Sequence, residues 1–267
     1  MNTEASAGKI MLVGIGPGSV DHMTQRARDA IAEADVVIGY VTYIKLVADL
    51  IEGKEIIRKS MTEELDRAVS ALEAARAGKK VALISSGDAG VYGMAGPTYE
   101  VLFQSGWTPE DPVQVEIIPG ASALNSCAAL VGAPLTHDFC AISLSDLLTP
   151  WPTIERRLAA AAEGDFVVAL YNPRSARRAN QLAAARAILL TRRPVETPVA
   201  VARNLGRRDE SLILTTLAAL DPEAVDMLTI VIVGNSQTRL IAGRDPRIYT
   251  PRGYIHGNEN LIDDATR

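Results

Sequence analysis

The segment KIMLVGIGPGS, residues 9–19, is the stretch from which the fold can be predicted. After Lys9 it is an apolar run of strand length that ends in Gly14, and a helical pattern begins near Thr24, a residue type that caps helix N-termini. A buried strand that passes through a glycine-rich loop into a helix is typical of a parallel α/β sheet. The segment therefore predicts that the chain opens with such a sheet.

The same order of elements recurs through the first half of the chain. Expected strands at 36–38, 81–84 and 113–118 alternate with expected helices at 24–34, 62–77 and 123–131, and Gly78 closes the second of these helices. This alternation predicts an N-terminal α/β domain, residues 1–136, with a largely parallel sheet.

The second half starts a new alternation. Strands are expected at 139–142, 166–171, 198–203, 211–215 and 229–233, with helices at 153–162 and 178–190. Residues 204–209 form a predicted hairpin turn, which introduces antiparallel pairing. The predicted fold class is α/β: two α/β domains with a cleft between them, the second spanning 137–267, with a mixed sheet and a polar tail from about Gly253.

Composition narrows the function classes. The chain has 267 residues, of which 48% are hydrophobic and 4% aromatic, with a net charge of −5. These values exclude disordered and collagen-like classes, and the net negative charge disfavours a nucleic-acid partner. Because no signal-peptide pattern and no run of about 18 apolar residues occurs, we expect a cytoplasmic protein without a membrane partner.

The cysteines and histidines predict no metal site. Cys127 and Cys140 are the two cysteines, no C-x-x-C motif occurs, and the three histidines are scattered. We therefore expect no metal, an iron–sulfur centre included. Both cysteines lie in apolar surroundings and are interpreted as packing residues rather than nucleophiles.

The basic residues are divided unevenly between the halves. Residues 1–137 hold 11 basic and 17 acidic residues, a balance of −6, whereas residues 138–267 hold 16 and 15, a balance of +1. All 16 basic residues of the second half are arginine. Arginine presents a planar fork that suits carboxylate or phosphate, so this half either contacts an anionic ligand or carries an ordinary solvated surface.

Four loops that follow predicted strands are candidates for ligand binding, because ligands of open α/β sheets bind at the carboxyl ends of strands. They read GIGPGS at 14–19, SSGDAGVYG at 85–93, PGASA at 119–123 and LYNPRS at 170–175. Asp88 and Ser122 either contact a ligand or cap the helix that follows.

The first loop departs from the dinucleotide-binding fingerprint. Ser19 stands where the third glycine is required, and Gly39 and Tyr40 stand where the ribose-binding acid is required. Pro17 also removes a backbone donor from the expected pyrophosphate position. The sequence also has no P-loop motif. Two interpretations of the first loop remain: a turn that lets a ligand approach the backbone, or a plain structural turn.

Taken together and in this order, the four loops resemble those of the tetrapyrrole methylase family, which transfers a methyl group from S-adenosylmethionine. The resemblance spans residues 9–250. A narrower likeness rests on HDFCAISLSDLLTPW at 137–151 together with Tyr171, Asn172 and Pro173. This stretch is similar to the ring-contracting members of the family, which methylate C17 of precorrin-3B in cobalamin biosynthesis.

The resemblance implies a cofactor, a substrate and a set of binding residues. S-adenosylmethionine would be held between the domains and leave as S-adenosylhomocysteine, the substrate would be a precorrin-type tetrapyrrole, and the chain would form a homodimer. The binding residues carried over by motif are Pro17, Ser86, Gly87, Asp88, Val91, Ser122, Ala123, Asn172 and Leu205. Ala89 stands where the family commonly has proline.

The reaction that the resemblance implies needs orientation and proton transfer. The methyl group of a sulfonium is already activated, so alignment with the ring carbon suffices and no nucleophilic side chain is required. Ring contraction also needs a general acid or base, for which the candidates are Asp21, Ser86, Ser145 and Asp146. Asp21 and Asp146 could instead cap local turns. Arg174, Arg203 and Arg207 are the candidates for binding the substrate's carboxylates.

Two rival functions stay open. One is another methylase of the same family, acting on a cobalt-containing substrate, another ring carbon, ribosomal RNA or a modified histidine. The other is a different class, a nicotinamide-dependent oxidoreductase or a nucleotide-sensing module.

Overall fold

The structure is a computed structural model that describes residues 7–60, 63–175 and 177–254. The chain divides into two compact units. The first unit holds the described residues up to Ser126 together with Asn204–Glu210, and the second holds Cys127–Arg203 and the described residues from Ser211 onward. The domain division at residue 136 and the cleft stay predictions. The predicted helix start at Thr62 and the tail from residue 255 lie outside the described residues.

The first unit is built on a five-stranded parallel sheet with the order β3-β2-β4-β1-β5. Its strands are β1 (Lys9–Gly14), β2 (Val36–Tyr40), β3 (Glu55–Lys59), β4 (Lys80–Ser85) and β5 (Gln114–Ile118). Its helices are α1 (Gln25–Glu33), α2 (Val41–Leu46), α3 (Glu64–Arg76) and α4 (Ala95–Gln104), and α5 (Ala123–Val131) follows β5.

Helices cover both faces of this sheet, which is why its three inner strands, β1, β2 and β4, are nearly continuous apolar runs. Alternate residues of β1 face opposite sides: Ile10 and Leu12 pack in the cluster that includes α3 and α4, and Met11 and Val13 in the cluster that includes α1. The predicted cap of α1 is confirmed, because Thr24 Oγ1 accepts a hydrogen bond from the backbone N–H of Ala27.

Three elements of the first unit, α2, β3 and α4, are not predicted by the sequence analysis. The strand β3 has only two apolar residues, Ile56 and Ile57, and lies at the edge of the sheet, so its pattern is weak. The helix α4 has Gly96 and Pro97 in its first turn. These residue types usually indicate loops, but the first turn of a helix tolerates them.

The second unit is built on a mixed sheet with the order β10-β9-β11-β8-β7. Its strands are β7 (Phe139–Ser143), β8 (Val167–Tyr171), β9 (Pro198–Arg203), β10 (Ser211–Thr216) and β11 (Thr229–Val233), and its helices are α6 (Trp151–Glu163) and α7 (Gln181–Leu190). A separate small sheet joins β6 (Gly132–Ala133), β12 (Arg239–Ile241) and β13 (Arg247–Tyr249).

Pairing within the second sheet confirms the predicted fold class. The strands β7 and β8 pair in parallel, and the other three pairings are antiparallel, including the predicted β9–β10 hairpin. The predicted helix start at Arg178 is wrong by three residues. Arg178 and Ser175 exchange two backbone hydrogen bonds of 3.0 and 3.1 Å, and this turn delays α7 until Gln181.

Within the part of the chain that the structure describes, no helix is long and apolar enough to span a bilayer.

A fully buried guanidinium joins several elements of the second unit. Arg193 donates to Asp165 Oδ1 at 2.9 Å and to the backbone carbonyls of Gly234, Ala161 and Phe166. Its neighbour Arg192 instead pairs with Glu163 on the surface, where both side chains are more than half exposed. The two adjacent arginines therefore form a matched pair for a stability measurement.

We expect Arg193→Ala to lower the free energy of unfolding by about 3–5 kcal/mol, because it leaves backbone carbonyls in the core without their donor and removes the cation that pairs with Asp165. Arg192→Ala is the control and should cost about 0–1 kcal/mol, as exposed ion pairs do. Urea unfolding followed by circular dichroism measures both. Equal losses for the two variants would contradict this account of the Arg193 contacts.

Candidate functional site

The loops that follow β1, β4 and β5 lie together in the first unit. These strands are parallel neighbours in the order β4-β1-β5, so their carboxyl ends meet at one edge of the sheet. Gly14 is in register with Ser85, and Val13 with Ile118. The structure thus brings the first three sequence-predicted loops to one place, and the fourth loop belongs to the second unit.

The first two loops are joined backbone to backbone. Gly16 N–H donates to the Gly87 carbonyl at 3.0 Å, and Gly87 N–H donates to the Gly16 carbonyl at 2.8 Å. Both glycines have positive φ, 72° and 69°, a conformation that other residues rarely adopt. The bridge fixes the first loop against the second without any side chain.

The third loop packs equally closely on the other two. A Cβ atom on Gly120 would lie 2.2 Å from the Gly87 carbonyl oxygen, and one on Gly14 would lie 2.7 Å from the Gly120 nitrogen. Side chains larger than hydrogen therefore do not fit between these three loops. We refer to the packed group of Gly14, Gly87 and Gly120 as the glycine junction.

Asp88 adds a side-chain link across the glycine junction. Its Oδ2 accepts a hydrogen bond from Gly120 N–H at 3.0 Å, and its Oδ1 accepts one from Gly90 N–H at 2.8 Å. Each carboxylate oxygen has two lone pairs, and the bonds within the described residues leave one on each oxygen for a ligand. The alternative that Asp88 caps a helix does not hold, because α4 begins only at Ala95.

The turn between β9 and β10 supplies further contacts to the first loop. Leu205 is buried, and a Cβ on Gly206 would lie 3.1 Å from Pro17 Cγ. Arg207 donates from Nε to the Pro17 carbonyl and from Nη2 to Ser86 Oγ, each at 3.1 Å. Two predicted cofactor residues, Pro17 and Ser86, are therefore held by one guanidinium.

Among the described residues, no carboxylate lies within ion-pair distance of Arg207. Burial lowers the pKa of its guanidinium, and the nearby Tyr43 phenol acts in the opposite direction. Burial also raises the pKa of Tyr43, while Arg207 and Arg67 lower it. The glycine junction thus has a half-buried positive charge beside it without a carboxylate partner.

The remaining predicted cofactor residues of the first unit differ in accessibility. Ser122 is almost fully buried, and its Oγ lies 2.7 Å from Asn125 Oδ1 and accepts from Asn125 N–H at 3.4 Å. The Ser122 side chain therefore caps α5, as the alternative interpretation of this residue predicts. Ala123, the first residue of α5, is half-buried, and Val91 is exposed.

In the second unit, Asn172 and Ser143 lie at the ends of the parallel pair β7 and β8. Asn172 has a φ of 51°, and its Nδ2 donates to Ser143 Oγ at 3.0 Å. Ser143 Oγ also accepts from the backbone N–H of Ser145 at 3.2 Å. These bonds fix two sequence-predicted residues, Asn172 and Ser145, to one another.

Arg178 is the residue that the sequence analysis misses. Its side chain donates from Nε to the Asn172 carbonyl at 3.0 Å, from Nη1 to Ser145 Oγ at 3.2 Å, and from Nη2 to Met227 Sδ at 3.3 Å. The residue is only 6% exposed. The sequence pattern assigns Arg178 to a helix and so hides it. The one signal that could have identified it is its position, three residues after Ser175 in the loop that follows β8.

The other predicted catalytic carboxylates are engaged locally. Asp21 lies in a short 3₁₀ turn, where its backbone N–H and its carboxylate both bond to Ser19 Oγ. Asp146 is exposed and accepts from Gln181 Nε2 at 2.8 Å. Within the part of the chain that the structure describes, Asp21 forms no hydrogen bond with the glycine junction, and Asp146 forms none with Arg178.

Two of the three predicted substrate arginines have carboxylate partners. Arg174 pairs with Glu223 at 2.5 Å, and Arg203 pairs with Asp226 at 2.7 Å. Arg174 and Asp226 line a cavity of about 430 Å³ that Met227 also borders. Of the three, Arg207 alone has neutral partners in the described part of the chain.

Burial supports the interpretation of the cysteines as packing residues. Cys127 is fully buried, and desolvation raises the pKa of its thiol to about 12. Desolvation likewise raises the pKa of Cys140, which packs against the core of the second unit. The residues covered by the structure contain no group of three or more side chains arranged to hold a metal ion.

The parallel sheet with loops packed at its carboxyl edge, followed by a mixed sheet, defines an α/β protein of the kind whose ligands bind at strand ends. The chain belongs to the tetrapyrrole (corrin/porphyrin) methylase family, whose model matches residues 9–221. The predicted family is therefore confirmed.

Three relatives cover most of this chain. A cobalt-factor III methyltransferase of Priestia megaterium is 53% identical over 247 residues, which are 92% of this chain but 45% of that longer protein. A "Probable cobalt-factor III C(17)-methyltransferase" of Salmonella typhimurium is 48% identical over 92% of this chain and 99% of its own. A precorrin-3B C(17)-methyltransferase of Sinorhizobium sp is 43% identical over 94% of this chain and 99% of its own.

Solved structures have the same fold. The methyltransferase CobJ matches with a TM-score of 0.84 and 39% identity over 91% of this chain and 100% of its own. A uroporphyrin-III C-methyltransferase of Thermus thermophilus, complexed with S-adenosylhomocysteine, matches with a TM-score of 0.67 and 23% identity over 85% and 97% of the two chains. At that identity the second likeness concerns the fold alone.

We expect Gly120→Ala to destabilise the protein by about 1–3 kcal/mol, because its Cβ would force the glycine junction apart. Gly96→Ala is the control, since a Cβ there meets nothing within 4 Å and replaces glycine in a helix. Urea unfolding should give this control a free energy of unfolding equal to that of the wild type or slightly higher. A Gly120→Ala protein as stable as the wild type would contradict the described packing.

Proposed function

We propose that this chain is an S-adenosylmethionine-dependent methyltransferase that methylates C17 of precorrin-3B and contracts its ring to precorrin-4. The observation that carries the proposal is the glycine junction, a site at the strand ends formed by three loop motifs in a chain of the tetrapyrrole methylase family. The names of the relatives at 43–53% identity support the same step of cobalamin biosynthesis.

The residues at the glycine junction fit S-adenosylmethionine. The packed glycines leave no room for side chains between the loops at the strand ends, and within the described residues Asp88 keeps acceptor capacity for a hydroxyl or ammonium group. The half-buried Arg207 offers a positive charge for a carboxylate. The residues that would hold the cofactor are Pro17, Ser86, Gly87, Asp88, Val91, Ser122, Ala123, Asn172 and Leu205.

The bound cofactor would supply an activated methyl group on a sulfonium. The chain's own contribution to that transfer is orientation, an effect that can reach about 7–11 kcal/mol of the barrier. Since Cys127 is buried with a raised pKa, a thiol nucleophile at that position is not part of the proposed mechanism.

Ring contraction also needs proton transfer, and two serines are suited to it. Arg207 donates to Ser86 Oγ and Arg178 donates to Ser145 Oγ. Because a guanidinium cannot accept, each hydroxyl proton is directed away from its arginine and can be donated. Asp21 and Asp146 are the weaker candidates, since their carboxylates bond to Ser19 and Gln181.

Cobalt-factor III is the second candidate substrate. Two relatives named for it are 53% and 48% identical to this chain, whereas the relative named for precorrin-3B is 43% identical. In either case the substrate is a precorrin-type tetrapyrrole with several carboxylates. We further propose a homodimer in the cytoplasm, without nucleic-acid or membrane partners.

The proposed reaction can be tested by anaerobic incubation of the protein with S-adenosylmethionine and either precorrin-3B or cobalt-factor III. We expect a mass gain of one methylene in one of the two tetrapyrroles, with a changed absorption spectrum. The tetrapyrrole that reacts identifies the substrate. If neither tetrapyrrole reacts but S-adenosylhomocysteine still raises the melting temperature, the result would contradict methylation at C17 and favour a methylase that acts on another ring carbon.

The same thermal assay separates the oxidoreductase alternative. A ligand that binds only the folded state raises its stability, so S-adenosylhomocysteine should raise the melting temperature and NAD should not. Stabilisation by NAD alone would overturn the methyltransferase proposal.

We expect Arg207→Gln to weaken S-adenosylhomocysteine binding roughly tenfold, because it removes the donor that holds Pro17 and Ser86. Arg208→Gln, a change at the exposed neighbouring arginine, is the control and should alter the affinity less than about twofold. Isothermal titration calorimetry measures both. If Arg207→Gln binds as tightly as Arg208→Gln, Arg207 does not organise the cofactor loops.

A further inference from the structure

Arg178 is a nearly buried positive charge whose hydrogen-bond partners among the described residues are all neutral. Its three bonds go to a carbonyl, a hydroxyl and a thioether. The carboxylate that acts on it electrostatically, Asp146, lies beyond ion-pair distance and bonds to Gln181. Burial accordingly lowers the pKa of the Arg178 guanidinium. Because a buried charge without a counter-ion is costly, the site favours an anion that comes close to it.

The hydrogen bonds around Arg178 fix which groups can still donate. Arg178 Nη1 donates to Ser145 Oγ, so the Ser145 hydroxyl proton is directed elsewhere. Ser143 Oγ accepts from both Asn172 Nδ2 and Ser145 N–H, so its hydroxyl proton is directed outward as well. Both serines are half-buried and can therefore be reached from the surface. The cluster presents donors, backed by a cation, to whatever binds there.

Two large apolar side chains come shortly after this donor cluster, separated from Ser145 by Asp146. Leu147 is 77% exposed and Leu148 is 88% exposed, although both are aliphatic. Residues 143–148 therefore combine two hydroxyl donors, which Arg178 backs, with an uncovered apolar surface, and the exposed Asp146 between them bonds to Gln181. A flat apolar ring with carboxylates on its periphery has the complementary chemistry.

We propose that Ser145 binds a carboxylate of the tetrapyrrole substrate, that Arg178 is the positioning residue behind it, and that Leu147 and Leu148 contact the macrocycle. This inference rests on the proposed function. Arg178 turns the Ser145 hydroxyl outward as a donor and supplies the positive charge that a carboxylate requires. The role differs from that of Arg174 and Arg203, whose guanidiniums are paired with Glu223 and Asp226.

The test is anaerobic titration of four variants with the tetrapyrrole that the wild type methylates, and separately with S-adenosylhomocysteine. Arg178→Gln should weaken tetrapyrrole binding roughly tenfold to a hundredfold, the range of a charge-assisted hydrogen bond. Arg178→Lys keeps the charge and should recover part of the affinity, and Ser145→Ala should weaken binding about fivefold. Arg192→Gln, at an exposed ion pair, is the control and should bind like the wild type.

Each variant should keep its affinity for S-adenosylhomocysteine within about twofold. An equal loss for both ligands would overturn the inference, because Arg178 would then act through the Asn172 loop or through the fold. Unchanged tetrapyrrole affinity in Arg178→Gln would overturn it directly. If Arg178→Gln does not fold, the inference is tested by Arg178→Lys and Ser145→Ala. Wild-type affinity for the tetrapyrrole in both of these variants would contradict it.

The proposed function fails in a different way. A wild-type protein that binds S-adenosylhomocysteine but neither precorrin-3B nor cobalt-factor III overturns the proposed function and the inference together. A wild type that binds one tetrapyrrole, with variants that bind it equally well, overturns only the inference.

Discussion

Gly14, Gly87 and Gly120 touch one another through backbone atoms alone, and the rest of the first unit is arranged around that contact. It can form because β4, β1 and β5 are parallel neighbours whose carboxyl ends meet. The Gly16–Gly87 bridge and the Asp88 carboxylate then lock the loops together. Because no side chain separates these loops, all three lie close together at the carboxyl edge of the sheet, which is where ligands of open α/β sheets bind.

Five arginines of the second half of the sequence fall into two groups once their partners are known. Arg174, Arg193 and Arg203 are paired with carboxylates and stabilise the fold locally. Arg178 and Arg207 are bonded to carbonyls, hydroxyls or a thioether and have no carboxylate within ion-pair distance among the described residues. Anion recognition is proposed only for the second group, and exposure alone does not separate the two groups, since Arg193 and Arg178 are both buried.

The sequence predicts those features that depend on local chemistry. The Thr24 cap and the β9–β10 hairpin are local signals, and the structure confirms both. The sequence does not predict partners brought together by the fold. Arg207 reaches Pro17 across 190 positions, and Arg178 reaches Ser145 across 33. Sequence spacing carries no information about either contact, so Arg207 is predicted only as a substrate residue and Arg178 only as part of a helix.

The most direct test of the glycine junction as the cofactor site is a map of backbone amide chemical shifts on addition of S-adenosylhomocysteine. The account predicts that the largest changes in the first unit occur in residues 14–19, 85–91, 120–123 and 204–208. Small changes throughout these four segments, with large ones on another edge of the parallel sheet, would contradict it.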